Sequence, residues 1–177
     1  MLFPLKKVLV FQMDAVILNN DISKFLNWDY IGAPWSEEND VYVGINEEKN
    51  IIPKLSKEYR VGNGGLSLRS VNAMKIISQK NLSTTSAEQE DVFFVRNLHQ
   101  LGYAVADINI AVEFAVEVPL PEHVNVNNLF AVHQGWKFMN VNKFIKLTKN
   151  SMKYSYWWNK KEIFYTYMFH NNNITNI

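Results

Sequence analysis

The order of apolar and polar residues predicts short strands and helices, beginning with a buried strand. Val8–Phe11 is a continuous apolar run that leads into Gln12 and Asp14. A run that is apolar on both faces is typical of a buried strand in a parallel sheet. In open α/β sheets, ligands bind beyond the carboxyl ends of the strands. Asp14 therefore lies where a ligand-binding carboxylate is expected, although a turn aspartate fits the same position.

A glycine-rich stretch lies at the centre of the predicted fold. It reads Val61-Gly62-Asn63-Gly64-Gly65-Leu66-Ser67-Leu68-Arg69-Ser70. The Asn-Gly pair marks a tight turn, and the alternating residues after it predict a strand. Ser70 can cap a helix that begins at Val71. Backbone amides between a turn and a helix start suit a polyhydroxylated or anionic ligand. A turn needed only for close packing fits the glycines equally well.

Acidic residues open a second predicted helix. Glu90 and Asp91 precede a run with an apolar face, and Gly102 ends it. Carboxylates are favoured at a helix N-terminus by the macrodipole, so both residues have a structural explanation. The functional interpretation is that one of them is a general base or binds an acceptor.

Two further residues have side chains of the right type for a site. His133 follows an apolar run, Leu129–Val132, and histidine at a strand end can bind a divalent metal, though a lone histidine is more often structural. Trp35 follows a brief predicted strand and could stack on a sugar face or a base, or simply form part of the core. A polar stretch between these regions includes a predicted strand over Val41–Gly44.

Composition narrows the class of protein. The 177 residues are 47% hydrophobic with a net charge of +1, which predicts one domain with a core and gives no electrostatic case for nucleic acid. The absence of cysteine excludes disulfides and thiolate metal sites and fits a cytoplasmic chain. No apolar run approaches the ~20 residues of a membrane span.

Four motifs in one order carry a resemblance to a known family. They are Phe11-Gln12-Met13-Asp14, Asp29-Tyr30-Ile31-Gly32-Ala33-Pro34-Trp35, Gly62-Asn63-Gly64-Gly65-Leu66-Ser67-Leu68-Arg69 and Glu90-Asp91-Val92-Phe93-Phe94. The chain from about Lys7 to Trp136 resembles a glycosyltransferase-like family catalogued as a domain of unknown function, found in microbes, fungi and large DNA viruses.

The resemblance implies an α/β, GT-A type fold with a mixed sheet and flanking helices. It implies transfer of a sugar from a nucleotide-sugar donor to a glycan or other hydroxyl acceptor, assisted by Mn²⁺ or Mg²⁺. Asp14 and His133 would be the metal ligands, with Gln12 where such enzymes carry another carboxylate. Glu90 or Asp91 would lie near the acceptor hydroxyl. The substrate-lining residues would be Trp35, Gly62, Asn63, Gly64, Gly65 and Ser67.

The position of the first motif departs from the GT-A pattern. Only thirteen residues precede Asp14, where such folds carry about a hundred residues of nucleotide-binding βαβ structure. Residues 1–137 therefore resemble the C-terminal half of such an enzyme, and residues 138–177 a helical and aromatic extension. A second chain could supply the other half. The alternatives are a truncated, non-catalytic remnant that binds carbohydrate or a partner, and a structural viral or cellular protein.

Overall fold

The structure is a computed structural model that describes residues 6–35, 60–80, 89–117, 128–137 and 140–148. Within these ranges the chain has a mixed α/β architecture, with two three-stranded sheets and helices packed against them. The elements are β1 Lys7–Phe11, β2 Ala15–Ile17, β3 Tyr30–Gly32, β4 Leu66–Ser70, α1 Val71–Gln79, α2 Glu90–Gln100, α3 Ile108–Phe114, β5 Ala115–Val116, β6 Ala131–His133 and α4 Val141–Thr148.

The first sheet is antiparallel, with strand order β1-β4-β3. Its central strand, β4, is buried along its whole length, and β3 is buried as well. At the end of β4 the hydroxyl of Ser70 accepts a hydrogen bond from the amide of Ala73 at 3.4 Å. This contact satisfies an otherwise free amide of the first turn, so α1 begins directly at Val71.

The second sheet has strand order β2-β6-β5. Strands β2 and β6 are antiparallel, with Ala15 opposite His133. Strands β5 and β6 are parallel, with Val116 beside Val132. At one end of the strands, the end of β6 therefore lies beside the start of β2 and the end of β5. The candidate site described below lies at this end of the sheet.

An aromatic cluster lies in the hydrophobic core. Phe25 contacts Phe114 edge-on, with ring centroids 5.2 Å apart, and Phe114 stacks on Phe130 at 5.3 Å. Such pairs add about 0.5–1.5 kcal/mol each beyond the area they bury. The same core includes Tyr30 of the first sheet and Ala131 of the second, so it joins the two sheets.

The prediction that the first strand is buried in a parallel sheet is wrong. Among the described strands β1 lies at the edge of an antiparallel sheet, and its residue Phe11 is 61% exposed. The reason is that β4 takes the central position and pairs on both sides. A run of apolar residues alone does not distinguish a buried strand from an edge strand.

Several other predicted elements are confirmed. They are the strand after the glycines, the Ser70 cap, the helix that begins at Glu90, and its end near Gly102 with a φ of 73°. The strand predicted over Val41–Gly44 and most of the predicted extension at 138–177 lie outside the described residues. In the described ranges, no helix combines the length and apolarity that crossing a bilayer requires.

Replacing the cap residue tests the account of α1. Ser70→Ala should lower the free energy of unfolding by about 1 kcal/mol, because the Ala73 amide loses its partner. Denaturant titration measures the change. Ser78→Ala, the same substitution at an exposed position of the same helix, should have little effect. Equal losses in the two variants would contradict the capping role.

Candidate active site

Three side chains converge where the strands β2, β6 and β5 meet. Asp14 lies just before β2, His133 is the last residue of β6, and Glu117 directly follows β5. The imidazole of His133 lies between the two carboxylates. Its Nε2 is 3.1 Å from Oδ1 of Asp14, and its Nδ1 is 3.1 Å from Oε1 of Glu117. The ring is almost fully buried, so both contacts form away from bulk water.

The protonation of Asp14, His133 and Glu117 determines which of these contacts can be hydrogen bonds. A neutral imidazole has one N–H and one bare nitrogen, whereas two ionised carboxylates offer only acceptors. One of the two nitrogen–oxygen contacts therefore needs a second positive partner. That partner is a second proton, on the ring or on the facing carboxyl group, or a cation shared by the nitrogen and a carboxylate.

Asp14 is held in place by its neighbour across the strands. The side-chain amide of Gln134 donates to Oδ2 of Asp14 at 2.7 Å, and the Gln134 backbone amide donates to the Asp14 carbonyl at 3.0 Å. Gln134 adopts φ of 50°, in the left-handed region. For a non-glycine residue this conformation costs on the order of 1 kcal/mol. The two hydrogen bonds to Asp14 stabilise the otherwise unfavourable backbone.

Gly65 allows the imidazole of His133 to approach the backbone closely. A Cβ at this position would overlap Nε2 of His133 and would lie 2.8 Å from Oε1 of Gln12. The backbone amide of Gln12 also donates to the Gly65 carbonyl at 2.8 Å, which holds the two segments together. The absence of a side chain at Gly65 therefore lets the imidazole pack directly against the backbone of the glycine loop.

The amides of the glycine loop point inward, contrary to the expectation that they face an anionic ligand. Those of Gly62 and Asn63 donate to the carbonyl of Ala33, at 3.2 and 3.3 Å. The amide of Gly65 donates to the side-chain oxygen of Asn63 at 2.8 Å, and that of Gly64 donates to Oδ2 of Asp91 at 3.0 Å. The loop is buried, so its donors must find partners inside the protein. A diphosphate would find no free amide there.

The two acidic residues at the start of α2, Glu90 and Asp91, lie in different environments. Glu90 is exposed and forms an ion pair with Arg69, whose guanidinium group is largely buried. Asp91 is half-buried and faces the loop through Gly64. Burial raises the pKa of Asp91 above its ordinary value, and the hydrogen bonds from Gly64 and Val92 offset only part of that rise. Burial therefore makes the Asp91 carboxylate a stronger base than an ordinary aspartate.

Several of the other residues that were predicted to line a substrate site are more deeply buried than residues that line a binding site. Ser67 is fully buried, and its hydroxyl accepts a hydrogen bond from Nε of Arg69 at 2.8 Å. Gly62 is covered by Trp35 and Val95, which would both overlap a Cβ there. Trp35 itself is partly exposed and packs on the core. Trp35 and Gly64 thus remain the accessible candidates, and the substrate roles stay predictions.

The donor atoms around Nε2 suit a divalent cation. Two ligands at right angles on an ion, with bonds of about 2.1 Å, lie about 3 Å apart, close to the 3.1 Å between Nε2 and Oδ1. Across the described ranges no three His, Cys, Asp or Glu side chains form a metal cluster. The ring separates the two carboxylates, so that Glu117 contacts Nδ1 while Asp14 contacts Nε2.

Sequence reasoning missed Glu117 and Gln134. A polar residue directly after an apolar segment was the available signal for Glu117. Its meeting with His133 depends on the parallel pairing of β5 with β6, which spacing along the chain does not reveal. Gln134 had no signal, because its importance comes from its backbone conformation and its position opposite Asp14.

Adding a side chain at Gly65 tests the close packing of the imidazole on the loop. Gly65→Ala should lower the free energy of unfolding by about 2–3 kcal/mol, since the new Cβ must displace the buried ring. Gly64→Ala is the control: its Cβ would lie 3.0 Å from the exposed, flexible end of Glu90. Its cost should stay below about 1 kcal/mol. Denaturant titration compares them, and equal costs would contradict the packing described.

The pH dependence of stability tests the environment of Asp91. Because its pKa is raised in the folded state, the native protein holds the proton more tightly, and the free energy of unfolding falls as pH rises from about 4. Asp91→Asn should remove this loss, so it gains stability relative to wild type with rising pH. Denaturant titrations between pH 4 and 7 measure the difference.

Asp21→Asn provides a control of opposite sign. A hydrogen bond with Ser23 lowers the pKa of Asp21, so the carboxylate stabilises the fold increasingly as pH rises. The Asp21→Asn variant should therefore lose stability relative to wild type as pH rises toward about 4, so its titrations extend to lower pH and change little above about 5. Parallel curves for the two variants would contradict the account of Asp91.

Comparison with known proteins assigns the chain to a family through its sequence and not through a solved structure. No curated protein matches it, and no solved structure matches it. Residues 2–133, about three quarters of the chain, match the family described as "Protein of unknown function (DUF5672)". This stretch contains the whole of the trio Asp14, Glu117 and His133. The chain belongs to that family of proteins of unknown function.

Proposed function

We propose that the chain is a metal-assisted glycosyltransferase that moves a sugar from a nucleotide-sugar donor to a hydroxyl acceptor. Asp14 and His133 would hold a divalent cation, Mn²⁺ or Mg²⁺. Asp91 would act as the base. Trp35 and the turn at Gly64 would line the sugar and acceptor side.

The observation that carries the proposal is the contact between Nε2 of His133 and Oδ1 of Asp14. The two residues are far apart in the sequence, yet these atoms lie 3.1 Å apart. Glu117 occupies the other ring nitrogen, so the Nε2 contact needs either a second proton, on the ring or on Asp14, or a shared cation. A cation is favoured by the side-chain oxygen of Gln12, which lies beside Gly65 near Nε2, and by the Asp14 side chain, which is 24% exposed.

A bound cation would neutralise the diphosphate leaving group as a Lewis acid. A diphosphate would need such a cation because the amides of the glycine loop point inward and offer it no hydrogen bonds. The charges near the loop are mainly carboxylates, and the buried Arg69 is already paired with Glu90. Asp14 and His133 would thus provide the attachment point for the donor.

Asp91 would remove the proton from the acceptor. In glycosyl transfer the acceptor oxygen bonds to the anomeric carbon, the carbon–oxygen bond to the diphosphate breaks, and the hydroxyl proton passes to a base. The raised pKa of Asp91 makes its carboxylate a better proton acceptor than an ordinary aspartate. Glu90 would act indirectly, because its carboxylate is engaged by Arg69 beside the Asp91 turn.

The test is ligand-dependent stabilisation of the full chain. Mn²⁺ should raise the melting temperature, and one member of a panel of nucleotide sugars should raise it further in the presence of Mn²⁺. Asp14→Asn should abolish both shifts, because it replaces the charged ligand with an amide. Release of free nucleotide diphosphate with a hydroxyl acceptor, lost in Asp91→Asn, would establish the transfer reaction.

The matched control is Asp107→Asn, the same substitution at the cap of α3, where asparagine caps equally well. This variant should keep both shifts. Absence of any Mn²⁺ shift in a cooperatively melting wild type would contradict the metal site. Donor binding without diphosphate release, across acceptors, would favour a carbohydrate-binding remnant instead.

A further inference from the structure

We infer that Gln134 is a positioning residue that directs the Asp14 carboxylate toward Nε2 of His133 and thereby strengthens cation binding. The inference rests on the proposed function in one respect, the presence of a cation between Asp14 and His133. Gln134 holds Oδ2 of Asp14 while Oδ1 contacts the imidazole, so it acts through Asp14. The contact of Gln134 with Asp14 can be measured without the cation.

The pairing of β2 with β6 does not by itself bring Asp14 to His133. Ala15 lies opposite His133, so a regular continuation of the ladder would place Asp14 opposite Gln134. Successive side chains of a strand point to opposite faces of the sheet. Asp14 and His133 would then lie on different faces, yet Oδ1 of Asp14 is 3.1 Å from Nε2 of His133. The contact therefore requires a departure from strand geometry at this end of the sheet.

Both residues at this end of the ladder depart from strand geometry. Asp14 lies in a turn, in which the amide of Ala15 donates to the carbonyl of Gln12 at 3.1 Å. Gln134 adopts φ of 50° while its backbone amide donates to the carbonyl of Asp14 at 3.0 Å. Because that hydrogen bond holds the backbone nitrogen, φ determines the direction of the Cα–Cβ bond. The left-handed conformation thus turns the Gln134 side chain away from the direction of a strand residue, and its amide reaches Oδ2 of Asp14 at 2.7 Å.

Lys137 determines which end of the Gln134 amide faces Asp14. The ammonium group of Lys137 donates to Oε1 of Gln134, and an ammonium group has donors only. The amide oxygen must therefore face Lys137, which leaves the amide nitrogen to donate to Oδ2 of Asp14. With Oδ2 engaged in this way, Oδ1 is the oxygen that faces Nε2 of His133.

Packing beyond the turn also holds the backbone of Gln134. The next residue, Gly135, lies so close to its neighbours that a Cβ would be 2.5 Å from Cγ1 of Val132 and 2.6 Å from Cε2 of Phe144 in α4. The left-handed turn therefore does not depend on the Gln134 side chain alone. Glycine at position 134 would adopt this φ without steric cost. A strained residue held in place by its surroundings points to a function for its side chain, which here is the amide that holds Asp14.

Substitutions at position 134 separate the backbone from the amide. Gln134→Gly and Gln134→Ala both remove the amide, but only glycine adopts φ of 50° freely. The glycine variant should therefore unfold at a higher denaturant concentration than the alanine variant. Calorimetric titration of the full chain with Mn²⁺ should nevertheless find both variants about 10–100-fold weaker than wild type. A merely structural role would make the affinity follow the stability. Gln100→Ala, at the exposed end of α2, should bind like wild type.

A double-mutant cycle measures the contact without metal. Asp14→Ala and Gln134→Ala each remove the hydrogen bond between the same two side chains. In denaturant titrations, the double variant should therefore lose less stability than the sum of the losses in the two single variants. Losses that simply add would show that the two side chains do not act together.

Two results would overturn the inference. One is wild-type Mn²⁺ affinity in both Gln134→Gly and Gln134→Ala, and the other is additive losses in the cycle. If wild type binds no Mn²⁺ but the cycle is non-additive, the positioning of Asp14 stands and the proposed function fails with its cation. If Mn²⁺ binding is lost in Asp14→Asn but unchanged in both variants at position 134, the inference about Gln134 fails alone.

Discussion

The site depends on the register of one small sheet. Strands β2 and β5 both pair with β6, and this pairing brings Asp14 and Glu117 to opposite edges of the His133 ring. A slip of one residue in either pairing would turn the side chains to the other face. The parallel pairing of β5 and β6 is only two residues long, so its stability comes from the buried core around it rather than from the strands themselves.

Buried polar contacts around the glycine loop determine what the site can bind. Each amide from Gly62 to Leu66 has a partner within the protein, and Tyr30 donates to the carbonyl of Gly62 at 2.7 Å. Such a loop is rigid and poorly suited to bind an anion through its backbone. The neighbouring side chains of Asp14, Glu90 and Asp91 are carboxylates, which accept hydrogen bonds when they are ionised. A ligand that brings positive charge or hydroxyl donors fits this surface better than a bare phosphate.

The sequence predicted local features better than it predicted pairing. The strand and helix around Ser70, the helix start at Glu90 and the turn near Gly102 follow from capping and glycine preferences that act within a few residues. The position of β1 was predicted wrongly because an apolar run does not reveal its neighbours. Pairing between distant segments is set by tertiary packing, which one sequence does not display.

The same distinction applies to the candidate site. The chemical types at Asp14 and His133 were recognisable, and the structure brings the two together. Ser67 was expected beside a substrate, but its hydroxyl is buried against Arg69. The roles of Glu117 and Gln134 could not be predicted, since they arise from a parallel pairing and from a left-handed backbone conformation. Spacing along the chain carries no information about either.

The central claim is that a divalent cation binds between the Asp14 carboxylate and Nε2 of His133. Pulsed electron paramagnetic resonance of Mn²⁺ bound to the chain with ¹⁵N-labelled histidine tests this most directly. The account predicts the hyperfine coupling of one directly bonded nitrogen, which disappears in His133→Gln while the signal of free Mn²⁺ increases. Tightly bound Mn²⁺ without nitrogen coupling, or with a coupling that survives in His133→Gln, would contradict the account.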